Sequence, residues 1–339
     1  MSHPVYRGLV IDAHTHFDAN AKRAADAVLD EPSLADHVVN FWNTRLPPPD
    51  FPAWHGTWRA YSSRGMSLLH MPDLSHIGEP GVEEEIAEGV AQAAGMGAVG
   101  IKVWKNLGLT ERDADGRRVH IDDSRLDVLW SAAGAHGLPV AIHIADNRES
   151  FEPLTPANVR YEELRWRPDW WFGDRTRFPA RELLFEEFER VVQRHRATVF
   201  IGLHFGCFMP IADVGRMLGA YPNYFIDTAA RTFCLGQPPE REEAIALFHA
   251  APDRIIFGTD LARTDEIDLP EPGAASRWDV SALYEHHWRF FETTEHVSPP
   301  YPFLPASQQL TGLGLDAKTL RMLYHDNAQR VFGLTDDSL

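Results

Sequence analysis

The sequence predicts an α/β fold, an eight-stranded (β/α)8 TIM barrel with long lid insertions on its C-terminal face. Three observations carry that expectation. Short β-branched runs alternate with helical patterns along the whole length. No Gly-rich phosphate loop follows the first run, which argues against an open doubly wound sheet. Histidines and carboxylates recur at the C-terminal ends of the runs, the face on which barrels place their chemistry.

The strands are expected at residues 8 to 13 (GLVIDA), 37 to 42 (HVVNFW), 67 to 72 (SLLHMP), 98 to 104 (AVGIKVW), 138 to 144 (LPVAIHI), 197 to 204 (ATVFIGLH), 223 to 228 (NYFIDT) and 253 to 260 (DRIIFGTD). Between them, residues 82 to 96, 123 to 136, 181 to 196, 211 to 220 and 238 to 250 repeat apolar positions at three- and four-residue spacing, which predicts helices. A last helix is expected near 316 to 332. Three connections, 43 to 66, 145 to 180 and 261 to 279, exceed ordinary loop lengths and would lie over the barrel mouth. The first two hold Pro47, Pro48, Pro49, Trp54, Trp58, Trp166, Trp170, Trp171 and Phe172, a composition that packs rather than waves in solvent.

A length of 339 residues suits one barrel domain, taken here as 1 to 339. With 44% hydrophobic and 24% charged residues the chain can bury a sizeable core. Its formal charge of −17 repels phosphate backbones and anionic lipid, so the expected partner is a small-molecule substrate, with no nucleic acid and no membrane. No signal segment precedes the first strand pattern, and the expected location is cytoplasmic. Cys207 and Cys234 are too few for a disulfide framework and read as reduced thiols. Nothing in the sequence decides whether the chain forms a homo-oligomer.

The sharpest motif is IDAHTHFD, where His14 and His16, two apart at the end of the first strand, share one face. His143 ends the fifth strand pattern, His204 the sixth and Asp260 the eighth. Below them lie Ala141, Gly202 and Gly258, small residues of the same parity that would leave room in the mouth. Lys102, on the fourth strand in GIKVWKNLG, has the inward parity of Gly100 and Trp104. It is read either as carboxylated and bridging two metals or as an amine that binds a substrate anion or pairs with an acid. Nitrogen and carboxylate donors suit one or two divalent ions, zinc by default, with iron or manganese compatible. His70 reads as a core histidine, and the other histidines as structural or solvent-facing.

With those residues placed, the chain resembles the amidohydrolase superfamily, and more closely its branch of decarboxylases, lactonases and hydratases. The resemblance implies His14, His16, His143, His204 and Asp260 as the ligand set. The fourth-strand segment is similar to the lysine-bearing strand of urease. The function expected is that of a metal-dependent hydrolase acting on an amide, ester or lactone. Asp260 would accept and relay the proton, and His204 would assist as electrophile or second metal ligand. A nonoxidative decarboxylase of an aromatic or unsaturated acid is the alternative, with Arg231, Arg160, Arg165 or Arg167 gripping the carboxylate and Trp104 lining the substrate site. A diiron monooxygenase on the same scaffold is a further alternative.

Overall fold

The computed structural model describes residues 5–31, 33–41, 50–263, 280–298 and 309–335. The expected long connections at 43–66 and 261–279 therefore lie partly outside the described residues, as does residue 42 of the second strand. Among the described residues the main sheet contains nine parallel segments. They are β1 (Ile11–Phe17), β2 (His37–Asn40), β3 (Met66–His70), β4 (Gly100–Val103), β5 (Val140–Ile142), β6 (Phe200–Gly202), β7 (Tyr224–Asp227), β8 (Ile255–Ile256) and β9 (Leu261–Arg263). Each neighbours the next in sequence from β8 down to β1, and β9 lies on the far side of β1.

β8 lies within the expected eighth strand, 253 to 260, whereas β9 lies just beyond it, at the start of the stretch expected to be the third long connection. β8 pairs with β7 and β9 pairs with β1, while Ala13 N–H donates to Phe257 O between them. The sheet thus curls round and meets itself at one seam. Strand eight breaks there because Asp260 takes a positive φ of 62°, which interrupts a β ladder.

The alternation of side chains explains two cores. Ile11, Ala13, Val39, Phe41, Leu69, Ala141, Ile201, Phe225 and Ile256 fill the barrel interior, with Ala328 and Phe332 packed against them. Val38, Ile101, Val103, Val140, Ile142, Phe200, Ile226 and Ile255 face outward into the larger core shared with the helices. That core includes Trp54 and Trp58 of the helix Phe51–Trp58, so this part of the first long connection packs as core. His70 belongs with the outward set: its ring meets Phe51 at 5.6 Å, and burial lowers its pKa to about 4.

The expected helices are found as Val82–Gly95, Asp127–Ala135, Arg181–Arg194, Ile211–Ala220 and Glu240–Ala250. The terminal one is interrupted by a π turn at Met322–Asp326. Helices Lys22–Leu29, Tyr161–Trp166 and Val280–Glu292 were not expected from periodicity. Among the described residues no helix is long and apolar enough to cross a membrane, and both cysteines are free thiols.

Candidate active site

β1 carries a bulge. Its register against β2 slips by one residue between Asp12 and Thr15, so Ile11 and Ala13 point inward and His14 and His16 follow them to the same side. The close approach of His14 explains Gly258, where a Cβ would stand 2.7 Å from His14 Cβ. At the seam, Asp260 N–H donates to His14 O at 2.9 Å. Buried Asp12 clamps both sides: it accepts from His14 N–H, from Thr259 N–H and Oγ1–H, and from Tyr284 O–H.

Three ligand atoms meet at that seam. His14 Nε2 lies 3.1 Å from His16 Nε2, and Asp260 Oδ1 lies 3.3 Å from each. Donors about 2.0–2.1 Å from one ion and set at the tetrahedral angle stand about 3.3 Å apart. The triangle therefore has the dimensions of a shared ion. Burial alone would raise the Asp260 carboxyl, but His16, His14 and His204 around it hold it well below the usual carboxylate range. Burial drives His14 and His143 well below the ordinary histidine value and His204 to about 4, so all three rings are neutral near pH 7 and can offer lone pairs.

His143 and His204 stand beside the triangle rather than in it. The His204 ring is centred 5.2 Å from that of His14, and the His143 ring 4.3 Å from that of His204. Among the described residues both nitrogens of buried His143 lack a hydrogen-bond partner, an arrangement that leaves two polar atoms unsatisfied unless a ligand meets them. His204 departs from the parity argument. Ile201 and Leu203 face the interior, and Gly202 faces the Tyr224 hydroxyl, which a Cβ there would meet at 2.4 Å. The chain then enters a left-handed turn in which His204, Phe205, Gly206, Cys207 and Phe208 all have positive φ. That turn, and not strand alternation, brings His204 round to the site. Of the three small residues, Ala141 and Gly258 sit below the mouth as expected and Gly202 does not.

Asp227, at the end of β7, was not singled out in the sequence. Its Oδ2 accepts from His14 Nδ1–H at 2.6 Å and its Oδ1 from His204 N–H at 2.6 Å. This fixes the tautomer of His14 with the lone pair on Nε2, toward the triangle. His204 Nδ1–H donates to Ala229 O at 3.1 Å, which leaves its Nε2 free in the same way. Burial raises Asp227 to about 6, still ionised at neutral pH. A strand-end aspartate in an otherwise apolar run was the available signal.

Lys102 is buried with no acceptor for its Nζ among the described residues, 4.8 Å from the centre of the Phe41 ring, and burial lowers its pKa to about 8. Arg231 is buried too. Among the described residues its Nε has no partner and Nη1 meets Cys234 Sγ at 3.4 Å, and the guanidinium lies 4.9 Å from the centre of the Phe208 ring, which stacks on His204. Arg160, in contrast, is engaged by both oxygens of Glu163 at 2.6 Å. Arg165 pairs with Glu162 and Arg167 with Asp169. Arg160 is thus paired within its own stretch of chain, whereas Arg231 has no carboxylate partner among the described residues. The Trp104 ring is perpendicular to that of His143, their centres 5.2 Å apart. A second carboxylate–histidine group, His120, Asp122 and Glu187, is distinct, and there Arg118 already grips both Glu187 oxygens.

Such a seam, with imidazoles and an ionised carboxylate at the mouth of a parallel barrel, defines a metal-site enzyme scaffold. The chain belongs to the amidohydrolase family, whose model matches residues 72–334, and it is an enzyme of hydrolase or lyase type. β1 precedes the matched residues, so His14 and His16 enter the site on geometry. No curated protein matches the chain. Among solved structures it is similar to a dihydroxybenzoic acid decarboxylase from Polaromonas sp. JS666 with bound manganese and an inhibitor, at 14% identity, TM-score 0.56, and 98% and 99% of the two chains covered. It is also similar to a 2,6-dihydroxybenzoate decarboxylase from Rhizobium (14%, TM-score 0.53, 97% and 99%). A third match is a dihydroorotase from Campylobacter jejuni (11%, TM-score 0.52, 96% and 84%). At these identities the likeness is one of fold.

Proposed function

We propose that the chain is a metal-dependent hydrolase of a small carboxylate-bearing substrate with an amide, ester or lactone bond. The reading is carried by one observation, the triangle of His14, His16 and Asp260 atoms at 3.1–3.3 Å. These three residues would hold a divalent ion, with His143 and His204 beside it. Zinc is the default, and manganese, present in the Polaromonas decarboxylase, fits the same donors. When bound, such an ion supplies Lewis acidity that acidifies water and polarises a carbonyl.

The chain's own residues do the rest. Asp260, kept ionised by the surrounding imidazoles, accepts a proton at its carboxylate. His204, with Nδ1 fixed on Ala229 O, offers Nε2 as a second proton acceptor or donor. Arg231 has no carboxylate partner among the described residues and would orient a substrate carboxylate by charge-assisted hydrogen bonds.

The same Arg231 favours the second reading, loss of carbon dioxide from an unsaturated or aromatic acid. Metal analysis followed by anaerobic turnover in labelled water separates the readings. Hydrolysis places solvent oxygen in the product, whereas decarboxylation places a solvent proton on carbon. Turnover that stops without dioxygen in an iron-loaded protein would overturn both and leave the monooxygenase.

A further inference from the structure

Between the stretch that follows β4 and the segment after β5 lies a cavity of about 440 Å³. Trp104, Trp170, Phe172 and Leu109 supply its apolar walls, and Lys105 and Arg167 are its cations. Lys105 is the unusual member. Its side chain is buried and its ammonium is surrounded by rings, 4.9 Å from the centre of Trp170, 5.3 Å from Trp104 and 5.5 Å from Phe172. Its acceptor is Asp146, also buried. An ammonium carries three donors, and Asp146 takes one. Among the described residues the other two have no hydrogen-bond partner, so they are open to an acceptor on an occupant. Arg167 lies 4.1 Å over the centre of Trp170 and pairs with Asp169, so both cations of the cavity are already neutralised as ion pairs.

An occupant here meets π faces, no net charge and spare N–H donors. We infer that this cavity binds a planar conjugated ring bearing an oxygen acceptor, with the ring stacked among Trp104, Trp170 and Phe172 and the oxygen on Lys105 Nζ. A saturated ring of the same size loses the flat contact, and a hydrocarbon ring leaves the Lys105 donors unmet. A volume of 440 Å³ falls within the usual range for small-molecule sites. Trp104 joins the cavity to the metal centre, since its ring stands perpendicular to that of His143 with centres 5.2 Å apart. Resting on the function proposed above, the cavity takes the non-reacting end of the substrate and selects for a conjugated ring there.

The test uses benzamide, which is planar, neutral and oxygen-bearing, so that neither Arg231 nor a metal ion dominates its binding. Calorimetry on the full-length protein should show benzamide binding, with cyclohexanecarboxamide weaker by about fivefold or more. Trp170→Leu removes a half-buried wall without orphaning a polar group and should weaken benzamide by about fivefold. Lys105→Met should weaken it too, and Trp170→Leu keeps the test decisive if that variant fails to fold. In manganese-loaded protein the benzamide protons should show paramagnetic relaxation. In the His14→Ala/His16→Ala variant that relaxation should vanish while benzamide binding persists, which separates failure of the metal site from failure of the cavity. Equal affinity for the flat and saturated amides, or unchanged binding in Trp170→Leu, overturns the inference.

Discussion

Asp227→Asn perturbs the site without removing any atom of the triangle. The native carboxylate accepts from His14 Nδ1–H and His204 N–H, both at 2.6 Å. An asparagine has one acceptor oxygen and one donor nitrogen, so it can satisfy only one of the two. If the oxygen stays on His204 N–H, the amide nitrogen faces His14 and drives its proton to Nε2, removing the lone pair directed at His16 and Asp260. If the oxygen stays on His14, two buried N–H groups oppose each other at His204, at a cost of about 1–3 kcal/mol. Losing an outer partner of a ligating histidine typically weakens metal binding about 10–100-fold, equivalent to about 1.4–2.7 kcal/mol. Competition against a chelator of known affinity measures this directly, and the thermal midpoint of the metal-free protein reports any general damage. Metal affinity within about twofold of wild type would refute the argument that Asp227 sets the His14 tautomer.

Other perturbations test the remaining parts. His14→Ala with His16→Ala should abolish metal content and activity while circular dichroism stays that of a folded barrel, and full occupancy in the double variant would contradict the assignment. At Lys102 the three-atom triangle favours a single ion, so a protein supplied with labelled bicarbonate should show no carbamate resonance. Its appearance would move Lys102 to a bridge between two ions. Acidification should destabilise the metal-free protein. Burial lowers His70, His204 and His287 to about 4 and His286 to about 3, and lowers His14 and His143 further. The folded state therefore binds fewer protons than the unfolded chain below about pH 6.5, and each such histidine removes about 1.4 kcal/mol per pH unit until its folded pKa is reached. Asp12 and Asp227, raised to about 6, oppose this between about pH 6 and 4, but they are two against six. A thermal midpoint that does not fall between pH 7 and 5 would contradict the burial of these rings.

The barrel was legible because its strands are short apolar runs and its helices keep their period. His143 was legible for the same reason, since Ile142 faces the helices and Ala141 the interior. His204 was reached by a faulty route: strand alternation cannot describe a left-handed turn, and no residue before Gly206 announces one. The bulge in β1 was hidden in the same way, because spacing inside one strand says nothing of its register with the next. Arg160 also carries a pairing signal in the sequence. Glu163 follows it by three residues in a helical stretch, the spacing of an intrahelical pair. Asp227 carries no motif of its own, and its signal is physical: burying a carboxylate at a strand end demands partners that only a site or a network supplies.

The seam gives the candidate site a late birthday in the life of the chain. His14 and His16 emerge with the first strand, but Asp260 and Thr259 follow some 245 residues later, so the pocket cannot exist while most of the polypeptide is still being synthesised. Bringing ends so far apart together costs chain entropy that rises with the logarithm of the loop, about 5 kcal/mol for a loop of this length. An ion held by both sides of the seam would act as a clasp on that loop, adding free energy only once the eighth strand has docked. Metal supply would then govern the yield of closed barrel as well as turnover. Chains starved of metal should unzip first between strands one and eight, where hydrogen exchange would find the earliest loss of protection.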